Sequence, residues 1–293
     1  MKPASFDYAR PAHLDEACAL LAADGEARII AGGQTLVPLM AMRLARPKLL
    51  VDIARVPELA FVRAEGDHVT IGATTRQRVV ERDPVVRAKL PLLAKVMPFI
   101  GHASTRARGT VGGSLANADS AAEIVLVAVT LGATLTYREG DATADVAASD
   151  FFLGPMMTSL PQSGCLTTVR FPVWHEGRLG IGFHEVSARQ SDFAFVAAAA
   201  QIALDADGCC RRLAVGVGAA TPLPMRLDGV GDALAGTRLT EEAARDACAA
   251  ALANIEPLSD LHASAGYRRR VALSLAVRAI MDARKAAEGV HAG

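Results

Sequence analysis

A glycine-rich stretch in the middle of the chain directly precedes a long apolar segment. The stretch from Gly109 to Glu123 contains paired glycines, hydroxyl side chains and two carboxylates: Gly112, Gly113, Thr110, Ser114, Asp119 and Glu123. Glycine lets the main chain approach a large ligand because it has no Cβ, and free N–H groups donate to phosphate oxygens. We expect this stretch to hold the diphosphate of a nucleotide cofactor. The alternative is that the carboxylates form a solvated first helical turn.

A second Gly-Gly turn lies roughly 80 residues earlier and has the same kind of chemistry. An apolar strand precedes the turn and an apolar helix follows it, and the candidate residues are Ala31, Gly32, Gly33, Gln34, Thr35 and Leu36. The turn is neither GxGxxG nor GxxxxGK[ST], so it does not predict a Rossmann fingerprint or a P-loop. Alone, it is equally typical of a tight turn. Two such turns together favour a long cofactor lying between them.

The composition argues against several classes of function. Lys plus Arg equals Asp plus Glu at 31 each, whereas a general nucleic-acid binder carries a basic excess. The apolar runs are shorter than the roughly 20 residues that cross a bilayer. The five cysteines include no CxxC pair, and no HExxH motif occurs, so we expect no metal site. The polar first residues lack a signal-peptide core, and we expect a cytoplasmic protein.

The hydrophobic pattern predicts elements that would position these turns. A helix is predicted at 14–23. A β-α-β unit follows it, with strand 28–31, helix 36–44 and strand 49–53. A hairpin (61–63 and 68–71), helices at 75–82 and 84–96, and strands at 133–137, 141–146 and 165–171 follow. The apolar run from Ile124 is predicted to be a buried helix. The last third is predicted as three strands, 180–189, 193–205 and 211–218, and then helices 240–253 and 264–287.

The two glycine-rich turns belong to a larger set of motifs that carries a resemblance. The set comprises AGGQTL (31–36), IGATT (71–75), GTVGGSLANADSAAE (109–123), the opening Phe6-Asp7-Tyr8, Phe183-x-Glu185 and Arg189-x-x-Asp192-Phe193-Ala194. Together they resemble the FAD-binding medium subunit of the molybdenum hydroxylases, a family that includes xanthine dehydrogenase and aerobic carbon monoxide dehydrogenase. The resemblance covers nearly the whole chain.

The resemblance implies an α+β fold of the PCMH-type, vanillyl-alcohol-oxidase-like class. Two α/β subdomains would bind FAD, and a C-terminal domain, a three-stranded antiparallel sheet with helices, would close the site. On this basis we divide the chain into an N-terminal FAD-binding subdomain (1–57), a second FAD-binding subdomain (58–175) and a C-terminal domain (176–293).

The resemblance also implies roles for the site residues. The segments 31–35 and 110–114 match the two pyrophosphate-binding segments, and Asp119 and Glu123 match acidic positions near the ribityl and ribose groups. Leu166 lies where the family places an apolar residue near the flavin or adenine. Asp192 and Phe193 match a segment near the isoalloxazine that is often Asp-Tyr, so Phe193 keeps the ring but loses the hydroxyl. No catalytic acid or base is predicted on this chain.

The implied function is electron transfer within a molybdenum hydroxylase complex. Electrons would come from the [2Fe-2S] clusters of a small partner subunit and leave through FAD to NAD⁺, dioxygen or a quinone. A large molybdopterin-binding subunit would hydroxylate the substrate, in a heterotrimer that can pair into a dimer. Two alternatives stay open at this point: a self-contained FAD-dependent oxidoreductase of the same superfamily, and a non-catalytic assembly subunit. The intact glycines at 32, 33, 112 and 113 argue against the second.

Overall fold

The N-terminal part of the chain folds around a small parallel sheet. The structure is a computed structural model and describes residues 2–289; residue 1 and residues 290–293, which fall in the first and third predicted domains, lie outside the described residues. Its elements are β1 (Asp7–Ala9), α1 (Leu14–Ala23), β2 (Ala27–Ile30), α2 (Leu36–Ala41) and β3 (Leu49–Asp52). The strand order is β1-β3-β2, and both pairings are parallel. The predicted β-α-β unit is confirmed, and α1 has the predicted bounds.

The middle part of the chain packs helices against a five-stranded antiparallel sheet. The strands lie in the order β4-β5-β10-β6-β7, flanked by the short hairpin β8-β9. Two short 3₁₀ turns, Pro57–Leu59 and Met97–Phe99, join its elements. The elements are β4 (Val62–Glu65), β5 (His68–Gly72), α3 (Gln77–Arg82), α4 (Pro84–Lys89), α5 (Pro91–Val96), α6 (Ala103–Arg108), α7 (Val111–Asn117), α8 (Glu123–Leu131), β6 (Thr134–Glu139), β7 (Ala142–Ala147), α9 (Ala148–Phe151), β8 (Phe152–Gly154), β9 (Met157–Thr158) and β10 (Gly164–Pro172).

The helices of this part differ from the sequence prediction in four places, one of which is the four-residue helix α9, which no sequence pattern predicts. The predicted helix 84–96 is two helices, because Pro91 has no N–H to continue the first. Helix α6 was not predicted. The stretch after Gly109 was expected to be a loop, but Thr110 caps helix α7 by accepting a hydrogen bond from the N–H of Gly113.

The C-terminal part of the chain is an antiparallel sheet covered by helices. The sheet has four strands in the order β11-β12-β13-β14, so the expectation of three strands was wrong. The two-residue fourth strand is too short to give a period-2 signal. The elements are β11 (Arg178–Ser187), β12 (Ala194–Leu204), β13 (Cys210–Gly218), β14 (Met225–Arg226), α10 (Asp228–Leu234), α11 (Glu241–Ala251) and α12 (Ala265–Ala287).

Small residues allow helix α12 to lie directly on this sheet. A β-carbon at Gly182 would stand 2.0 Å from the carbonyl oxygen of Ala279, and one at Gly180 would stand 1.9 Å from that of Ala283. The next strand presents a buried alanine run, 197–200. Larger side chains at the two glycines would push the helix away from the sheet. Ala198 and Ala200 belong to the same core as α12, whereas Ala197 and Ala199 belong to the core around the helix that begins at Glu123.

The apolar helix α8 forms the centre of the largest hydrophobic core. Every residue from Ile124 to Leu131 is buried, which explains why the run shows no amphipathic period. One side of the helix packs against the middle sheet and another against β12 and β13 of the C-terminal sheet. This helix therefore fixes the turn that precedes it, residues 118–122, between two parts of the chain.

Candidate functional site

A cavity lies at one edge of the N-terminal parallel sheet. Strands β1, β2 and β3 run in the same direction, so their carboxyl ends meet at this edge, where α/β proteins commonly bind ligands. The cavity has a volume of about 800 Å³, within the range of small-molecule sites. It is lined by Tyr8, Arg10, Ile30, Ala31, Gly32, Gly33, Gln34, Val37, Pro38, Asp52, Ala54, Arg55, Arg76, Ala107 and Arg108.

The two glycine-rich stretches meet at the wall of this cavity. A β-carbon at Gly32 would stand 2.6 Å from the carbonyl oxygen of Arg108 and 2.9 Å from the α-carbon of Gly109. The guanidinium of Arg76 donates to the same carbonyl of Arg108. Gly109 in turn accepts a hydrogen bond of 2.9 Å from the N–H of Gln77. The contact between the stretches is backbone against backbone, and only glycine at position 32 permits it.

The first stretch presents a row of free backbone donors. The N–H groups of residues 32–35 donate to no acceptor within the described part of the chain. The backbone of Gly33 has a φ of +69°, a left-handed conformation that other residues adopt at a cost. Successive free N–H groups on a glycine turn form a site for an anion. Binding of a cofactor diphosphate by this turn stays a prediction.

The second stretch uses its backbone donors differently from the sequence hypothesis. The N–H groups of Val111 and Gly112 donate to the carbonyls of Thr75 and Ala73, and that of Gly113 donates to the Thr110 hydroxyl. These three donors are therefore engaged within the protein, whereas we expected free N–H groups at the glycines. Packing alone requires Gly112, because a β-carbon there would stand 2.4 Å from that of Ala73. Contact of residues 110–114 with a cofactor stays a prediction.

Four arginines give the cavity a positive charge. Arg10, Arg55, Arg76 and Arg108 line it, and within residues 2–289 none of them lies within ion-pair distance of a carboxylate. The lining has one carboxylate, Asp52, which accepts a hydrogen bond from Tyr8. Burial and the neighbouring Arg108 lower the pKa of Arg76. A site that holds like charges together fits a ligand with more than one negative charge.

Sequence reasoning missed these arginines. Arg108 immediately precedes Gly109 and Arg76 immediately follows IGATT, so their neighbourhood was the available signal. Arg10 and Arg55 lie just beyond the carboxyl ends of β1 and β3. None of the four belongs to a spaced motif. The chain's charges also balance overall, so the sequence gives no sign of a basic cluster.

The predicted acidic residues lie at the turn between α7 and α8. Asp119 is in that turn and accepts a hydrogen bond of 2.9 Å from the N–H of Ala121. Helix α8 begins only at Glu123, so the two carboxylates do not share a helical face as the sequence spacing suggested. Burial, with a smaller contribution from the nearby Glu185 and Asp119, raises the pKa of Glu123 to about 8.

A third carboxylate, Glu185, approaches this turn from strand β11. Burial raises its pKa to about 7, and one of its carboxylate oxygens is buried without a hydrogen-bond partner in the described chain. Glu185 points to the same face of β11 as Phe183, whose ring packs against Phe99 with centroids 4.8 Å apart. The C-terminal and middle parts of the chain therefore meet around these carboxylates.

The remaining predicted residues lie away from the cavity lining. Leu166 is only 4% exposed on strand β10 and belongs to the main hydrophobic core. Asp192 pairs with Arg189 at 3.0 Å in the loop between β11 and β12, and the ring of Phe193 next to it is 75% exposed. The structure thus places Gly32 of the first stretch against Arg108 and Gly109. The contacts of the predicted residues with a cofactor stay predictions.

Two other kinds of feature are absent from residues 2–289. In the range 2–289, no group of three or more His, Cys, Asp or Glu side chains is arranged to hold a metal ion. No helix in that range is long and apolar enough to span a bilayer.

Comparison with known families decides the identity of the chain. Residues 4–174 match the FAD binding domain in molybdopterin dehydrogenase, and residues 182–283 match the CO dehydrogenase flavoprotein C-terminal domain. The chain belongs to the FAD-binding medium subunits of the molybdenum hydroxylases. The expected α+β FAD-binding fold is confirmed for this medium subunit by its structural neighbours.

Individual relatives match the medium subunit along nearly its whole length. It is 35% identical to the nicotine 6-hydroxylase medium subunit of Paenarthrobacter nicotinovorans, over 97% of this chain and 99% of the relative. It is 34% identical to the carbon monoxide dehydrogenase medium chain of Afipia carboxidovorans, over 98% and 100%. The structure of quinoline 2-oxidoreductase from Pseudomonas putida 86 matches with a TM-score of 0.92, at 36% identity and 99% coverage of both chains.

The cofactor of this medium subunit is FAD, and the cavity fits the diphosphate of that molecule. FAD carries two negative charges on its diphosphate, and the cavity presents four free N–H groups beside the Arg76–Arg108 pair. The glycine at position 32 leaves the space that a β-carbon would fill. The chain is accordingly the flavoprotein component of an oxidoreductase.

Proposed function

We propose that this medium subunit transfers electrons from the [2Fe-2S] clusters of a small partner subunit to an external acceptor, which is NAD⁺, dioxygen or a quinone. A separate large subunit that carries molybdopterin hydroxylates the substrate, and the three chains form a heterotrimer that can pair into a dimer. The flavin, when bound, supplies the chemistry by which electrons are accepted and released. The observation that carries the proposal is the positively charged cavity where Gly32 meets Arg108 and Gly109.

The chain's own residues hold and orient the cofactor in this proposal. The N–H groups of residues 32–35 bind the diphosphate, and Arg76 and Arg108 balance its charge. Residues 110–114 form the second wall of this subsite. Asp119 and Glu123 accept hydrogen bonds from ribityl or ribose hydroxyls. Leu166 supplies an apolar surface, and Asp192 and Phe193 lie beside the isoalloxazine.

The variety of the relatives supports a role in electron transfer rather than in substrate recognition. The relatives described above are named for nicotine, carbon monoxide and quinoline, although their medium chains share about a third of their residues with this one. A flavoprotein that serves such different reactions fits a substrate site on another subunit.

Purification of the tagged full-length chain from its native host tests the proposal. We expect a flavin absorption spectrum, release of FAD on denaturation, and co-purification of one larger molybdopterin protein and one smaller iron–sulfur protein. Reduction of the complex by substrate should reduce the flavin, whereas the isolated FAD-loaded chain should not oxidise the substrate. A colourless chain that FAD cannot reconstitute would contradict the proposal, and substrate oxidation by the isolated chain would favour a self-contained oxidoreductase.

A further inference from the structure

One buried arginine of the C-terminal part lies outside the cavity and is linked, through one intervening residue each, to two segments of the predicted cofactor site. Arg268, in the first turns of α12, is 3% exposed. Its guanidinium donates to the carbonyl of Phe195, to the carbonyl of Ala219 at 2.8 Å, and to the carboxylate of Asp260 at 2.6 Å. Burying a guanidinium is costly unless its donors are used. These three acceptors offset part of that cost, while the buried Nε has no hydrogen-bond partner within residues 2–289.

The first acceptor lies next to the predicted isoalloxazine segment. Phe195 is two residues after Phe193, at the start of strand β12. The loop before it carries Ser191 with a φ of +67° and the ion pair of Asp192 with Arg189. The hydrogen bond to the Phe195 carbonyl therefore fixes the point at which this exposed loop enters the sheet.

The second acceptor links Arg268 to the turn of residues 118–122, which contains Asp119 and precedes Glu123; we call it the acidic turn. The N–H of Ala219 donates to the carbonyl of Ser120 at 2.8 Å, and Ser120 lies between Asp119 and Glu123. Ala219 has a φ of +61°, a conformation that alanine rarely adopts. Arg268 holds its carbonyl and Ser120 holds its N–H, so the unusual conformation depends on contacts on both sides of the residue.

We propose that Arg268 is a positioning residue of the cofactor site. It contacts neither the Asp192–Phe193 segment nor the acidic turn directly. It sets the two relative to each other through its hydrogen bonds to the carbonyls of Phe195 and Ala219. The planar guanidinium suits this task because its donors point in several fixed directions at once. The inference rests on the proposed function, which assigns both segments to contacts with FAD.

A neighbour on the same helix offers a matched control. Arg269 also donates to backbone carbonyls, those of Leu252, Ala253 and Ile255, at 3.2, 2.9 and 2.6 Å. These carbonyls lie in the segment after α11, away from Ser120 and Phe195. Replacing either arginine removes three hydrogen bonds: two to the main chain and one to Asp260 for Arg268, and three to the main chain for Arg269. Only Arg268 is connected to the predicted cofactor contacts.

The test compares Arg268→Met with Arg269→Met in the full-length chain. FAD affinity is measured by titrating the apoprotein, and the flavin environment is measured by visible circular dichroism. The opening rate of the acidic turn is measured by amide hydrogen exchange. We expect Arg268→Met to weaken FAD binding at least tenfold, change the flavin dichroism and speed exchange in the turn. Arg269→Met should lower the melting temperature while FAD affinity changes by less than about threefold.

Equal FAD affinities in the two folded variants would overturn the inference. If Arg268→Met does not fold, Asp260→Asn replaces it, because this change removes the charge partner and keeps the shape; an unchanged FAD affinity and unchanged dichroism in Asp260→Asn would then be the overturning result. Failure of the wild-type chain to bind FAD would instead contradict the proposed function, so the two failures are distinguishable.

Discussion

Gly32 lies directly against Gly109, and this contact brings together two stretches that are far apart in the sequence. A β-carbon at Gly32 would stand 2.9 Å from the α-carbon of Gly109. The neighbours are backbone atoms, which cannot rotate away as a flexible side chain does. The contact places the free N–H groups of residues 32–35 beside Arg76 and Arg108, which line the same cavity.

Replacing Gly32 should separate the two stretches. We expect Gly32→Ala to weaken FAD binding about tenfold or more, which corresponds to about 1.4 kcal/mol, because the new methyl group displaces the Arg108 carbonyl. Fluorescence titration of the apoprotein measures the affinity. Gly25→Ala is the control, since a β-carbon there meets no atom within 4 Å. Equal affinities in the two variants would show that the contact does not shape the site.

The charge of Arg76 should contribute to FAD binding in addition to its hydrogen bond to the Arg108 carbonyl. Arg76→Met is expected to weaken FAD binding by about 10- to 100-fold, because it removes a charge-assisted interaction worth roughly 1.5–3 kcal/mol. The loss should shrink at high salt if the effect is electrostatic. Arg82→Met, an exposed arginine of helix α3, is the control. A loss of affinity that is unchanged by salt would argue for a packing role instead.

The neighbouring glycines 112 and 113 should separate folding from cofactor binding. A β-carbon at Gly112 would stand 2.4 Å from the β-carbon of Ala73, whereas one at Gly113 would meet only the Thr110 side chain, with its oxygen at 2.7 Å. We expect Gly112→Ala to destabilise the apoprotein by about 2 kcal/mol. Gly113→Val should lose FAD while most stability remains. Thermal melts and FAD titration of both variants check this, and full FAD occupancy in Gly113→Val would move the site elsewhere.

The acidic turn should make apoprotein stability depend on pH. Burial raises the pKa of Glu123 from 4.5 to about 8, so between these values the folded chain binds more protons than the unfolded chain. The contribution of Glu123 to stability is therefore present below pH 4.5 and is lost as pH rises towards 8. We expect Glu123→Gln to be more stable than wild type at pH 8.5 by about 1–2 kcal/mol, after allowance for solvent screening.

The same comparison at low pH provides the control for the Glu123 prediction. Near pH 4.5 most Glu123 side chains of the folded protein are protonated, and a protonated carboxyl resembles an amide in charge and shape. The two proteins should then melt within about a degree of each other. Urea denaturation at several pH values measures the difference, and stability curves that stay parallel from pH 4.5 to 8.5 would refute the prediction.

Much of the local structure could be predicted from the sequence because short-range patterns encode it. Helix α1, the N-terminal β-α-β unit and the long strands of the C-terminal sheet follow from period and capping signals. Helix α7 was not predicted, because glycines at 112 and 113 argue against a helix by propensity. The Thr110 cap and the packing of Gly112 on Ala73 outweigh that propensity. The short fourth strand of the C-terminal sheet likewise exists only through its pairing with β13.

The sequence by itself determined which residue types could bind the cofactor: two glycine-rich stretches, hydroxyl side chains and an acidic turn before an apolar helix. Only the tertiary structure decided how they are used. It left the N–H groups of residues 32–35 free and engaged those of residues 111–113 within the protein. It gathered Arg10, Arg55, Arg76 and Arg108 from four separate places into one cavity. It also connected the acidic turn to Arg268, nearly 150 residues later. Local patterns specify backbone conformation, but charge and hydrogen-bond partners are set by contacts between distant segments.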